Sequence, residues 1–231
     1  MQNQNNIFDE LSTLFSQERL AGYLRHTDCN NKSDALIAYS WNIELSQALY
    51  PALQVLEITL RNSLHRAITT AYKTSYWFDL SFLHPKEMAV VNQAKDSLKR
   101  DRKQIEVGRL VAELSFGFWT SLFDVRYEYN QTLWPRLLKP VFQHMPKRYR
   151  TRQYLSRELN RIRYLRNRIF HYESIWHWKD LSEQHESLIN LVRWLSPLAA
   201  NYVSVFDCFK DVYSNGKLQV QDGLKKLIST E

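Results

Sequence analysis

Turn-forming residues are scarce in this chain, with 5 glycines and 6 prolines in 231 residues. An all-β fold of this length needs many more, so the shortage excludes that class. Cysteine is scarcer still: Cys29 and Cys208 stand alone. Neither has a second Cys or a His at metal-ligand spacing, and the two make no disulfide framework. No uninterrupted apolar run approaches the roughly 18 residues of a membrane span. The opening "MQNQNN" lacks the basic and apolar regions of a secretory signal. A reducing, cytoplasmic setting without a membrane is therefore expected. There is no glycine-rich phosphate loop, which argues against an NTPase.

What is present is helical. Hydrophobic residues make up 44% and charged residues 24%, enough for a sizeable core in a globular protein. Apolar residues recur at helical spacing nearly throughout. A first amphipathic helix is expected over 7–25, with Phe8, Leu11, Leu14 and Phe15 on its apolar side. The polar "DCNNKSD" (28–34) follows, with Ser33 or Asp34 as cap of the next helix. Pro51 should interrupt or restart that helix, whose later stripe is Leu53, Leu56, Leu60, Leu64, Ala67 and Ala71. "HPKE" (84–87) starts another helix, with proline in its first turn. Its charged continuation, "KDSLKRDRKQIE", reads as solvated. "LSFGFWTSLFD" (114–124) is a short aromatic helix in which Gly117 would let a neighbour approach closely. "LWPRLLKPVF" reads as broken helix, Thr151 caps a basic helix ending near Tyr172, and further helices cover 180–196 and 198–211 before a tail helix, "LKKLIS". No repeat, low-complexity tract or Pro/Gly/Ser linker divides the chain. One all-α domain over 1–231 is expected, with the first 30 and last 20 residues packed less firmly.

The net charge of +7 is local. From Lys147 to Arg168 there are nine basic residues, eight of them Arg, and a single acid, Glu158. That segment carries +8 and the rest of the chain is near −1. Arginine forks suit phosphate oxygens, so the stripe points to RNA or another nucleic acid; a solvated helix face is the bland alternative.

Within this helix, "YLRNRIFHYE" (164–173) is unusual. Leu155, Leu159, Ile162 and Ile169 form an apolar stripe, and Leu165 and Phe170 are apolar enough for core. Arg166 falls inside the stripe, where a charge is costly unless it is paired or lies at a cleft. Glu57, beside the leucine stripe of its own helix, is the candidate partner. Asn160, Arg163, Asn167 and His171 form a second, polar line. Arg166 and His171 are about 140° apart on an ideal helix, so they converge only through the length of Arg, an end of the helix near His171, or a second copy of the helix; a homodimer with facing helices is expected. Arg, an amide and His are the parts of metal-free phosphodiester cleavage in RNA. Imidazole moves the proton of the 2′-hydroxyl or of the leaving oxygen, and Arg stabilises the charged phosphate. A second Arg-to-His spacing, Arg19 to His26, lacks the basic, apolar-flanked helix and is set aside.

"LRNRIFHYE" resembles the Arg–Asn–x–x–x–His signature of HEPN domains. The wider chain resembles the Abi-like branch of that superfamily, the AbiD/AbiF type of phage abortive-infection protein. "PALQVLEITLRNSLHRAI" is similar to that family's N-terminal helix and "LSFGFWTSLF" to its central Phe-Gly motif. The likeness covers about residues 15–195, leaving C-terminal helices over 198–231. It implies a HEPN-type helical bundle with flanking helices, and a metal-independent endoribonuclease without cofactor. It also implies an active site shared by two protomers and a 2′,3′-cyclic phosphate product. Arg166, Asn167 and His171 take the catalytic positions. Arg163, Arg168 and Tyr172 are the RNA-binding candidates, and a regulatory RNA or an antitoxin is a conceivable further partner.

The chain departs from the family pattern in two places. In "RNSLH" (61–65) only three residues separate Arg61 from His65, and that segment reads as structural. Some HEPN toxins carry a Tyr two residues after the His, which a nucleotidyltransferase antitoxin modifies. Here that position is Glu173, and Tyr172 follows the His directly.

Two other readings stay open. One is a non-catalytic helical module that grips RNA or DNA through 147–168. The other is a scaffold that recognises a phage protein. "WHW" (176–178) reads as aromatic packing rather than a base-stacking platform. His26, His84, His144 and His185 read as surface or capping residues.

Overall fold

The computed structural model describes residues 9–11 and 13–229. The fold is all-α, with no strand among the described residues. The helix expected over 7–25 is divided at Ser16, whose φ is +79°. Ser16 Oγ accepts from Arg19 N at 3.3 Å and starts α1 (Gln17–Leu24). Residues 7, 8 and 12 of that expectation, Phe8 among them, lie outside the described residues.

Helix α2 runs unbroken over Lys32–Tyr72. Its cap is Asn31, not Ser33 or Asp34: Asn31 Oδ1 accepts from Asp34 N at 2.9 Å. Asp34 instead turns its carboxylate back to Asn30 N, 2.9 Å away. Pro51 lies inside the helix rather than ending it. Gln47, whose carbonyl loses its helical donor to the proline, is exposed. Leu45, Ala48, Leu49, Ala52 and Leu53 on either side are buried, and their burial outweighs the lost bond.

The chain forms two compact units. The first takes the residues up to Pro51, Arg168–His185 and the residues from Asp207 onward; the second takes Ala52–Asn167 and Glu186–Phe206. Three of the four crossings between the units fall within continuous helices, and the fourth, at Phe206–Asp207, lies in the turn between Val203 and Phe209.

In the first unit, α1 and the first part of α2 are joined by α10 (Phe209–Asn215) and α11 (Leu218–Ser229). Leu20, Leu45, Leu49, Ile175 and Phe209 are buried. Tyr23 stacks on the buried Trp176 with centroids 6.2 Å apart, and Lys217 Nζ lies 4.4 Å from the Trp176 centroid. "WHW" is thus packing. His185 is buried, contrary to its reading as a surface residue, because Asp207 reaches its Nε2 at 2.9 Å.

The second unit holds the rest of α2 followed by α3 (Pro85–Arg100), α4 (Val107–Glu113), α5 (Phe116–Ser121) and α6 (Leu138–Val141). It continues with most of α7 (Arg152–Phe170), α8 (Leu181–Leu195) from Glu186, and α9 (Pro197–Val203). The expected caps are in place. His84 Nδ1 accepts from Lys86 N at 3.4 Å, and Thr151 Oγ1 from Tyr154 N at 3.2 Å. The helix expected over 198–211 is two helices, α9 and α10, separated by a turn.

Aromatic residues fill this core. Trp77 stacks on Phe78 with centroids 3.8 Å apart, and Phe118 meets Trp119 edge-on at 5.1 Å. Their indole N–H groups are satisfied as burial requires: Trp119 donates to Leu114 O at 3.2 Å, Trp134 to Leu122 O at 2.7 Å and Trp77 to His65 Nδ1 at 3.0 Å. At the other end of "RNSLH", the half-buried Arg61 donates from Nη1 to Ala112 O at 3.5 Å.

Candidate functional site

Helix α7 carries the candidate site. Leu155, Leu159, Ile162, Leu165 and Ile169 are buried, so its apolar stripe is real. Phe170 departs from expectation: it is 40% exposed, with its ring 5.9 Å from Tyr50. The boundary between the units falls inside the helix. Arg166 and Asn167 belong to the second unit, and Arg168 and the residues after it to the first.

In the second unit, Arg166 Nε lies 3.5 Å from Glu57 Oε2, with side-chain exposures of 27% and 23%. The pairing read from the two stripes is present, and it accounts for a cation on an apolar face. Asn167 is exposed. Arg163 lies beside α5: a Cβ on Gly117 would sit 3.9 Å from Arg163 Nη1 and 3.5 Å from Ser115 Oγ. These are ordinary contacts, so Gly117 does not serve a close approach, contrary to expectation.

The basic stripe is less cationic than its sequence count. Arg152 pairs with Glu128 at 2.9 Å and Arg166 with Glu57. Glu158 is itself buried, accepting from Arg157 Nε at 2.9 Å and Ser187 Oγ at 2.8 Å. Folding brings in acids that a count along the segment does not see.

In the first unit, α7 ends in a hydrogen-bonded turn. Tyr172 N donates to Ile169 O at 3.0 Å and Glu173 N to Arg168 O at 2.8 Å. Tyr172 takes φ +58°. This is a Schellman ending, with His171 as cap residue and Tyr172 in the left-handed position that glycine usually fills. His171 therefore stands just past the last helical residue, and both it and Tyr172 are exposed. Residues distant in sequence hold the turn. Arg19 Nη1 donates to Tyr172 O at 2.8 Å. Arg168 Nη1 lies 2.6 Å from Glu173 Oε2, and its Nη2 donates to Ser174 O at 3.3 Å. The buried Asn42 accepts from Ile175 N at 2.7 Å and Trp176 N at 3.2 Å, and its Nδ2 donates to Glu173 O at 3.5 Å.

Arg168, a candidate RNA contact, thus spends its guanidinium on the turn. Arg19 and Asn42 were missed as holders of it. Neither announces itself in the sequence: Asn42 stands in the mixed stretch "YSWNIELS", beside Ser40, Glu44 and Ser46. What the turn offers chemically is an exposed imidazole on a fixed backbone. Among the described residues no three His, Cys, Asp or Glu side chains gather into a metal-binding group. No family model, curated protein or solved structure matches the chain.

Proposed function

We propose that this chain is a metal-independent endoribonuclease of the HEPN type, working in the cytoplasm as an abortive-infection or toxin effector. The observation that carries the reading is the intact Arg166–Asn167–x–x–x–His171 set on a basic helix, with His171 exposed on a hydrogen-bonded turn. The imidazole of His171 takes the proton of a 2′-hydroxyl, and the 2′-oxygen attacks phosphorus. The P–O5′ bond breaks, and the leaving oxygen collects a proton. The products are a 2′,3′-cyclic phosphate and a 5′-hydroxyl. Arg166, steadied by Glu57, stabilises charge on the phosphate oxygens, and Asn167 orients the imidazole or the sugar. A homodimer supplies two histidines, one as base and one as acid. Arg163 contacts the RNA backbone.

The test is incubation of the pure protein with total RNA in EDTA, followed by mapping of new ends. New 5′-hydroxyl and cyclic-phosphate ends are expected. RNA that is bound but uncut would leave a binding module built on residues 147–168.

A further inference from the structure

We propose that Tyr172 is a stacking platform for one base of single-stranded RNA, beside the phosphate cleaved at His171. The position relative to the cleaved phosphate rests on the endoribonuclease reading; the platform itself does not.

The backbone makes the first point. Six non-glycine residues among those described have positive φ: Ser16, Lys73, Arg102, Asn130, Gln131 and Tyr172. Tyr172 is the one aromatic in that set. A bulky L side chain is strained in this region, and glycine is the residue a Schellman ending favours. A strained residue persists where its surroundings over-determine it, and such positions cluster at functional sites.

Burial does not explain the tyrosine. Its relative exposure is 75%, so the ring contributes little to the core. The turn beneath it is fixed on both sides of the chain. Arg19 holds the Tyr172 carbonyl, Arg168 holds the Glu173 carboxylate, and Asn42 holds the Glu173 carbonyl and the N–H groups of Ile175 and Trp176. With the backbone fixed, only χ1 and χ2 of the ring remain to be ordered when a ligand binds, which keeps the entropic cost small.

The surroundings select the ligand. A tyrosine that anchors a protein partner sits inside an apolar patch. Tyr172 has His171 and Glu173 as chain neighbours and the guanidinium of Arg19 on its carbonyl. An exposed ring flanked in the chain by an imidazole and a carboxylate, on a turn held by arginine, matches an unpaired base of a single strand. The Cα atoms of His171 and Tyr172 are roughly 3.8 Å apart, so a base on the ring is a near neighbour of a phosphate at the imidazole.

The test uses Tyr172→Gly and Tyr172→Phe in the full chain, each combined with His171→Ala to block cleavage, with His171→Ala alone as reference. Affinity for a short fluorescein-labelled single-stranded oligoribonucleotide is read by anisotropy, alongside the thermal unfolding midpoint. Tyr172→Gly is expected to raise the midpoint, because glycine relieves the strain, while weakening affinity about tenfold. Tyr172→Phe keeps the ring and is expected to bind within about twofold of the reference. Equal affinity for the Gly variant overturns the platform, as does a Phe variant as weak as the Gly variant. A lowered midpoint in the Gly variant overturns the strain argument. A change of oligomeric state with unchanged RNA affinity assigns the ring to a protein contact instead. Ring-dependent binding by a protein that does not cleave RNA keeps the platform and removes the nuclease reading. Cleavage by wild type with ring-independent binding does the reverse.

Discussion

The Arg166 guanidinium and the Glu57 carboxylate meet at 3.5 Å on helix faces that are otherwise built of buried leucine and isoleucine. Both side chains keep about a quarter of their surface in solvent, so the pair contributes modestly to stability and mainly fixes where the cation sits. Glu57→Gln should cost about 1 kcal/mol in urea unfolding and reduce RNA cleavage roughly 10- to 100-fold, with more effect on kcat than on KM. A full cleavage rate in the folded variant would show that Glu57 serves packing alone.

Asn42 has a different kind of role. Its buried amide is the acceptor for Ile175 N and Trp176 N. Asn42→Ala strands both donors away from water and should destabilise the protein by about 3 kcal/mol. Chemical denaturation checks this, and a loss below about 0.5 kcal/mol would mean that water enters and takes over the bonds.

Gly117 lies in α5 at ordinary distance from its neighbours. Gly117→Ala therefore has room for its methyl and should raise stability by about 0.5–1 kcal/mol through the more restricted unfolded chain. A lower unfolding midpoint would reveal a close contact at this glycine.

Stability should depend on pH through two histidines. Burial pushes the His65 imidazole below its usual value; burial, then His26, then Arg168 do the same to His177. The unfolded chain takes up these protons near pH ~6.5, whereas the folded chain resists until lower pH. The contribution is thus complete above about pH 6.5 and is lost as pH falls from there through the folded values. In His65→Asn, Oδ1 replaces the acceptor for Trp77 and does not titrate, so urea midpoints between about pH 7.5 and 5.5 should differ less than in wild type. An unchanged difference would place the acid sensitivity elsewhere.

Much of this arrangement is local chemistry and was legible in the sequence. Scarce turn residues and helical spacing point to an all-α chain, and Thr151 and "HPKE" mark helix starts that the structure contains. Arg166 stood out as a charge inside an apolar stripe, which led to Glu57. What escaped depends on residues that meet only after folding. Pro51 stays helical because of burial around it, not because of its own preference. Asp207 buries His185, and Asn42 reaches the turn after α7, with nothing in the spacing to announce either. The helix end near Tyr172 was legible, but its left-handed turn was hidden because a tyrosine occupies the place where glycine would have signalled it. The charge of the basic stripe was overstated because Glu57, Glu128 and Glu173 come from outside it.

The central claim is that the imidazole of His171 transfers the proton in RNA cleavage, and one comparison tests it most directly. Wild type and His171→Ala are incubated with the same RNA in EDTA, with circular dichroism recorded for both. His171 is exposed, so its truncation opens no core cavity, and the two spectra should coincide. Wild type should yield 5′-hydroxyl and 2′,3′-cyclic-phosphate ends, and His171→Ala should lose at least about 10²-fold in rate while still binding RNA. Undiminished cleavage by the folded variant, or cleavage that strictly requires an added divalent ion, would contradict the account.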